Sequence, residues 1–301
     1  MEHSGEGRVG TAARRSRLMR VLVTGANGQV GHEVAAVCDR AGDDVVAAGR
    51  DSLDIADRDA VLGAVTTIRP DLIINAAAWT AVDACQADPV RAFAVNALAV
   101  RNLADACARA GAHLVHLSTD YVFSGELDRP YHEWDETSPR SVYGASKLAG
   151  EREALMLGPA ATVVRTSWVC GEQGGNIVKT ALRLAAEPGT LRFVDDQIGQ
   201  PTFAADLAVM LRRLALDRRS GMHHVTNQGA VSWFEFVRAV LVAAGHDPAR
   251  VEPIATADLR PPRPALRPAN SVLDNAVLRA SGVPLLRDFH EPLAELVRVL
   301  A

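Results

Sequence analysis

The sequence predicts a doubly wound α/β fold: a parallel sheet with helices on both faces, joined to a smaller, interleaved C-terminal unit. Two observations carry this. Short apolar runs of strand length alternate with amphipathic stretches of helix length through the first half of the chain. That β-α-β-α-β-α-β order feeds a parallel sheet through right-handed crossovers. In addition, the first strand-like run ends in a glycine-rich turn that opens directly into a helical pattern. A helix start presents free N–H groups and partial positive charge, so this junction has the chemistry of a phosphate site.

Residues 20–24, Arg-Val-Leu-Val-Thr, form the first predicted strand. Gly25, Gly28 and Gly31 follow in a G-x-x-G-x-x-G spacing, with Gln29 and Val30 at the helix start and apolar positions at Val34, Val37 and Cys38. The glycines permit a tight turn and a close approach of backbone to a pyrophosphate. Small glycine loops also close ordinary turns. The position at the first strand–helix junction favours a dinucleotide here, and with it a Rossmann-type fold.

The second strand, 44–48, ends at Gly49-Arg50. An acidic residue there would grip a ribose hydroxyl, whereas an arginine accepts a 2′-phosphate, so Arg50 points to NADP(H). Asp51 beside it keeps the reading of a solvated arginine open. Asp54 and Ile55 come next, and the aspartate is placed to cap a helix over 57–67 that Pro70 ends. Residues 71–75 are the third strand, and Ala76, Ala77 and Ala78 follow it. Small residues after a strand let a flat cofactor lie against backbone, although a plain alanine-rich turn reads the same way.

Pro89 starts a helix that passes Asn96 and reaches about Ala110. The fourth strand, 113–117, closes on Leu117 and runs into Ser118-Thr119-Asp120. Ligands of open α/β sheets sit outside the carboxyl ends of the strands. The glycine turn, Arg50, the alanine run and Ser118–Asp120 all lie at such ends, so they converge on one crevice. A polar, Pro-rich loop from Ser124 to Val142 reads as a lid or substrate loop. Tyr143 then opens a helix to about Met156.

Tyr143 and Lys147 are four residues apart, hence on one helical face a turn apart. A free phenol titrates near pKa ~10, and a fixed cation lowers that value. A phenol so tuned passes a proton at neutral pH, as a carbonyl reductase requires. Lys147 and Lys179 are the only lysines among 32 lysines and arginines. A chain that uses arginine almost everywhere keeps Lys147 where a compact, flexible point charge is needed. An Ala-rich, Arg-over-Lys composition also follows from a GC-rich genome.

The second half holds a fifth strand at 162–166, Trp168, a helix carrying Lys179, and a turn-rich loop over 193–202. A helix over 203–216, a last sheet strand at 223–227, a helix over 233–244 capped by Ser232, and a terminal helix from about Glu291 complete it. Adjacent His223 and His224 would point to opposite faces of a strand, which argues against shared metal ligation.

Composition bounds the function. A chain of 301 residues with 48% hydrophobic and 23% charged residues can bury a large core. A net charge of −4 offers no basic field for nucleic acid. No apolar run reaches the ~18 residues of a membrane span. The four cysteines lack metal-ligand or C-x-x-C spacing, so a reduced, cytoplasmic setting is expected and no metal site. Residues 1–18 are Gly-, Ser- and Arg-rich with no apolar core, and read as a disordered extension or as sequence upstream of a start at Met19.

Gly25-x-x-Gly28-x-x-Gly31, Asn75-Ala-Ala-Ala78, Ser118-Thr-Asp120 and Tyr143-x-x-x-Lys147 together resemble the extended short-chain dehydrogenases/reductases. Asp54-Ile-Ala-Asp57, Ser118-Thr-Asp-Tyr-Val-Phe123, Arg165-Thr-Ser-Trp-Val169 and Asp196-Gln-Ile-Gly-Gln-Pro-Thr202 narrow the resemblance to the dTDP-4-dehydrorhamnose reductase family. The similarity runs from about residue 19 to the end, and Cys170 departs from it where an aromatic is usual.

The resemblance implies a dinucleotide-binding domain over 19–166 plus about 203–227, and a substrate domain over 167–202 and 228–301. It implies NADPH, leaves NADH and Mg2+ open, and names a dTDP-sugar with a C4 ketone as substrate. Tyr143 would be the acid. Lys147 would lower the phenol pKa and hold the nicotinamide ribose, and Thr119 would orient the sugar oxygen. Asp120 matches a substrate contact, as does Trp168 unless it is a core residue. Asp54 would lie under the adenine. The Arg260–Pro268 run would hold a diphosphate or form a rigid loop. Glu33 matches a dimer-interface carboxylate, but no partners assemble around it, so monomer and homodimer both stand. Other keto-sugar reductases or epimerases, a regulatory subunit that keeps the cofactor fold, and an NAD-sensing transcription regulator are the competing readings. The intact Thr119, Tyr143 and Lys147 argue against the second, and no basic surface or helix-turn-helix supports the third.

Overall fold

The computed structural model describes residues 19–300; the N-terminal extension expected over 1–18 lies outside the described residues. Strands β1 (Arg20–Thr24), β2 (Asp44–Ala48), β3 (Leu72–Asn75), β4 (His113–Thr119) and β5 (Ala161–Thr166) join Gly221–His224 in one six-stranded sheet. Their spatial order is β2-β1-β3-β4-β5 and then Gly221–His224, with every pairing parallel. The chain leaves β1 for one side and returns to β3 on the other. This reversal opens a crevice at the carboxyl ends of β1 and β3.

The strands are covered on both faces and mostly apolar, with His116, Ser118 and Arg165 among the buried polar exceptions. Successive side chains alternate between faces. On β1, Val21 and Val23 enter a core with Val34, Cys38, Leu207 and Leu211. Leu22 enters the opposite core with Val61, Ile73, Val100 and Leu103. Each fully buried Leu or Ile contributes about 1.5–3 kcal/mol relative to exposure. A third apolar cluster lies away from the sheet, formed by helices Ile177–Ala185, Trp233–Ala243 and His290–Leu300 around Val178, Phe236, Leu241 and Leu293.

Element ends agree with the sequence expectation to within a few residues, and capping explains several of them. Asp57, rather than Asp54, caps the helix Arg58–Ile68, accepting from the amides of Asp59 and Ala60. Asp54 instead accepts from Ala56 N at 3.0 Å and stays beside the crevice. Ser232 caps its helix in a reciprocal capping box with Glu235. The helix from Pro89 to Ala110 is not regular: Ala94–Leu98 form a π-helical turn. Such turns concentrate at functional sites. This one turns Asn96 inward, where its amide bonds the Trp79 backbone and Ser146 Oγ.

The segment expected as a lid is pinned. The buried Tyr131 hydroxyl accepts from the amides of Gly125 (2.9 Å) and Glu126 (3.0 Å), and Tyr131 N bonds Val272 O. His223 and His224 separate as strand neighbours do: the first ring meets Ser220 O, the second the carbonyls of Tyr131 and Asp274.

Candidate active site

The crevice holds two cavities, of about 370 Å³ and about 540 Å³, that share Gly28, Ala76 and Ala78 on their walls and so form one groove. Gly25, Arg50, Asp54, Ile55 and Ala77 line the smaller end. Gln29, Val30, Leu117, Thr119, Asp120 and Trp168 line the larger, with Tyr143 and Lys147. Gly31 lies on neither wall. Its role is packing, since a methyl there would overlap the Gly25 carbonyl.

Backbone builds the smaller end. Gly25 has φ +71°, and a Cβ on it would come 2.5 Å from Ala77 N. Only glycine satisfies both constraints. The Ala76–Ala78 turn is held from below by Asn75, whose Oδ1 accepts from Thr24 Oγ1 (2.7 Å) and Ala77 N (3.1 Å). Its Nδ2 meets His116 Nδ1 at 3.0 Å. Burial and the nearby Lys147 hold the His116 imidazole neutral, well below the usual histidine range. Arg50 stands largely in solvent, 4.0 Å from Asp54, and is therefore available to an incoming anion.

Buried side chains build the larger end. Helix Val142–Leu155 starts at Ser141, whose hydroxyl accepts from Gly144 N, and Gly144 packs on the Tyr121 carbonyl. Gly150 packs on the Asn96 carbonyl. These close contacts press Tyr143 and Lys147 onto the end of β4. Lys147 Nζ donates to Leu117 O at 2.6 Å. Desolvation lowers the ammonium to about 8, opposed by Glu151 one turn on. Burial raises the Tyr143 phenol above its ordinary value, opposed by a hydrogen bond with the Thr119 hydroxyl. The expected lowering partner, Lys147, is engaged with the Leu117 carbonyl instead.

Thr119 Oγ1 donates to Asp120 Oδ1 at 2.9 Å, which leaves its oxygen to accept. It accepts from Tyr121 N at 3.2 Å and so caps the short turn Asp120–Val122. Burial pushes the Asp120 carboxyl up to about 6. Its Oδ2 is buried without a hydrogen-bond partner, so a ligand hydroxyl there would relieve an unmet acceptor. Trp168 has φ +45°, a strained conformation for a bulky residue of the kind that clusters at functional sites. Its indole lies on Gly199, where a Cβ would come 2.5 Å from Cε2.

Trp233, Tyr121 and Arg91 are among the wall residues that escaped sequence reasoning. Trp233 stacks on Trp168 with centroids 3.5 Å apart and planes 8° from parallel. Tyr121 meets Tyr143 edge-on at 5.7 Å. Arg91 lies over Trp79, 4.3 Å from its ring centre, at the smaller end. No spacing ties Trp233 to Trp168. The edge of Tyr121 was within reach, because it follows Thr119 and Asp120 directly. Among the described residues, no group of three or more His, Cys, Asp or Glu is placed to hold a metal ion.

Comparison with known proteins fits this geometry. The chain is 46% identical over 282 residues to a dTDP-4-dehydrorhamnose reductase of Streptomyces griseus, covering 92% of each chain. It is 42% identical over 281 residues to a Streptomyces antibioticus relative named "Probable dTDP-4,6-dihydroxy-2-methyloxan-3-one 4-ketoreductase", covering 92% of this chain and 94% of the relative. The crystal structure of Bacillus anthracis dTDP-4-dehydrorhamnose reductase in complex with NADP superimposes with a TM-score of 0.89 at 37% identity, over 94% of this chain and 100% of that one. Residues 19–301 match the family described as RmlD substrate binding domain, and the chain belongs to that family.

Proposed function

We propose that this chain reduces the C4 ketone of dTDP-4-dehydro-β-L-rhamnose to dTDP-β-L-rhamnose with NADPH, in dTDP-L-rhamnose synthesis. The observation that carries the reading is the meeting of Tyr143, Thr119 and Lys147 on the wall of the larger cavity. That cavity is continuous with a nucleotide-sized groove, in a chain whose relatives bear this name. The groove suits a dinucleotide: Gly25 lets its wall close against the Ala76–Ala77 backbone, where a Cβ would collide, and the helix Gln29–Arg40 starts at its floor. Arg50 would meet a 2′-phosphate, which favours NADPH over NADH.

When bound, the reduced nicotinamide supplies hydride to the carbonyl carbon. The protein's own residues manage the oxygen. Tyr143 donates the proton that quenches the developing alkoxide, and Thr119, on the same cavity wall, orients the oxygen beside it. A preorganised donor of this kind contributes about 2.7–4 kcal/mol to the transition state. Lys147, fixed on Leu117 O and facing the same cavity, would hold the cofactor ribose there. Asp120 and Trp168 position the sugar. In this reading residues 19–166 with about 203–227 hold the cofactor, and 167–202 with 228–301 hold the sugar nucleotide. The buried free cysteines support a reducing, cytoplasmic setting.

Supplying dTDP-4-dehydrorhamnose with NADPH or NADH, with and without chelator, tests the reading. Formation of dTDP-rhamnose supports it. The Streptomyces antibioticus relative favours one second reading, a different dTDP-linked keto-sugar, and a substrate panel separates the two. No NADPH oxidation with any keto-sugar would instead favour a regulatory role.

A further inference from the structure

Beneath Thr119 lies a buried ion pair that the reaction above does not use. Arg165 on β5 donates from Nε to Glu151 Oε1 at 2.8 Å and from Nη2 to Oε2 at 2.7 Å. Ser118 Oγ donates to the same Oε1 at 2.6 Å. Both charged side chains are almost fully buried, at 4% and 2% exposure. The third face of the guanidinium lies over Phe123, 5.0 Å from its ring centre. His224 beside it is held neutral by burial and by Arg165.

The position of this cluster is what matters. Ser118 sits between Leu117, whose carbonyl receives Lys147, and Thr119, which lines the cavity beside Tyr143. Ser118 is also in register with Arg165 across the β4–β5 ladder. Glu151 is one helical turn beyond Lys147. One carboxylate therefore ties the strand carrying Thr119 to the helix carrying Tyr143 and Lys147.

A buried ion pair of this kind is weak grounds for stability, because the cost of desolvating both charges rivals their attraction. Its use must then lie elsewhere. Glu151 on its own helix and His116 on β4 act on Lys147 directly; Tyr143, Asp120 and Tyr121 share the cavity wall with it, and Arg165 acts through Glu151. Glu151 is the carboxylate that favours the charged lysine against the desolvation that opposes it.

We propose that Glu151, clamped by Arg165 and Ser118, is a positioning residue that keeps the buried Lys147 an ammonium and holds the Tyr143–Lys147 helix in register with Thr119. Its catalytic meaning rests on the reductase reading, but its effect on Lys147 does not.

Because Lys147 and Lys179 are the only lysines, the full chain labelled with [13Cε]lysine shows two titrating signals, assigned with Lys179→Arg. The Lys147 midpoint is expected near 8. Glu151→Gln lowers it by about one pH unit, a tenfold loss of proton affinity. The alkaline limb of kcat/KM moves down with it. Glu151→Met with Arg165→Met leaves no buried charge unpaired and shifts the midpoint the same way. An unchanged midpoint in either folded variant overturns the proposal, and loss of the fold in both reduces the pair to a structural one. A wild-type chain that fails to reduce the keto-sugar sinks the reductase reading while the lysine titration still decides this one.

Discussion

At the nucleotide end of the groove the wall is mostly backbone and methyl groups, from Gly25, Gly28 and Ala76–Ala78, with Arg50 reaching in from solvent. At the reaction end it is buried side chains held in place, with Lys147 bonded to Leu117 O, Thr119 to Asp120, and the Tyr143 ring edge-on to Tyr121. The first end shapes a surface and leaves its charge in water. The second removes charges from water and so moves them: the amine down, the phenol and carboxyl up. Recognition of a large, charged cofactor tolerates the first design. Proton transfer requires the second, because only a desolvated group has its proton affinity set by its neighbours.

If that contrast is right, substitutions at the reaction end change turnover and those at the nucleotide end change cofactor affinity. The largest effect is expected for Tyr143→Phe. Loss of the proton donor should cut kcat by about 10²–10⁴ with NADPH affinity, read by fluorescence titration, nearly intact. Full turnover would remove the phenol from the mechanism. Lys147→Arg comes next. Charge survives, but a planar guanidinium must fit where an ammonium sits 2.6 Å from a carbonyl, so about a hundredfold loss in kcat is expected. Near-normal activity would show that charge alone suffices. Arg50→Ala should raise KM for NADPH about tenfold, leaving kcat and the NADH parameters unchanged, since one charge-assisted contact contributes about 1.5–3 kcal/mol. A mutant that keeps its preference would assign the 2′-phosphate elsewhere.

The smallest and most diagnostic test is pH. As pH falls through about 6, Asp120 takes up a proton and stops accepting from Thr119 as a carboxylate. As pH rises through about 8, Lys147 loses its charge. The kcat/KM profile should be bell-shaped between these limits, and Asp120→Asn should remove the acid limb alone. For stability the Lys147 shift has the opposite sign. Between about 8 and about 10 the unfolded chain binds a proton that the folded chain has released, so this group makes the fold more stable as pH rises.

Legibility followed the same division. The strands were readable because strands buried on both faces carry short apolar runs, and the glycine turn because a positive φ beside a close backbone leaves glycine alone. Tyr143 and Lys147 were readable because one helical turn fixes their separation. Where a reading needed a choice between neighbours it was less secure: Asp57 took the cap offered to Asp54, and Gly31 proved to be a packing glycine off the cavity wall. Trp233 on Trp168, Asn96 in its π-helical turn and Arg165 on Glu151 left no local signature.

The sequence by itself determined the parallel α/β order, the glycine turn, the Tyr–Lys pair and the Ser232 helix cap, since each depends on backbone geometry over a handful of neighbouring residues. Only the tertiary structure decided that Trp168 would face Trp233, that Lys147 would donate to Leu117 O, and that one buried carboxylate would join Arg165, Ser118 and the helix of Tyr143 and Lys147. Those are contacts between residues 14 to 65 positions apart. Burial then sets their energies, through a desolvation that depends on what packs around each group rather than on its place in the chain.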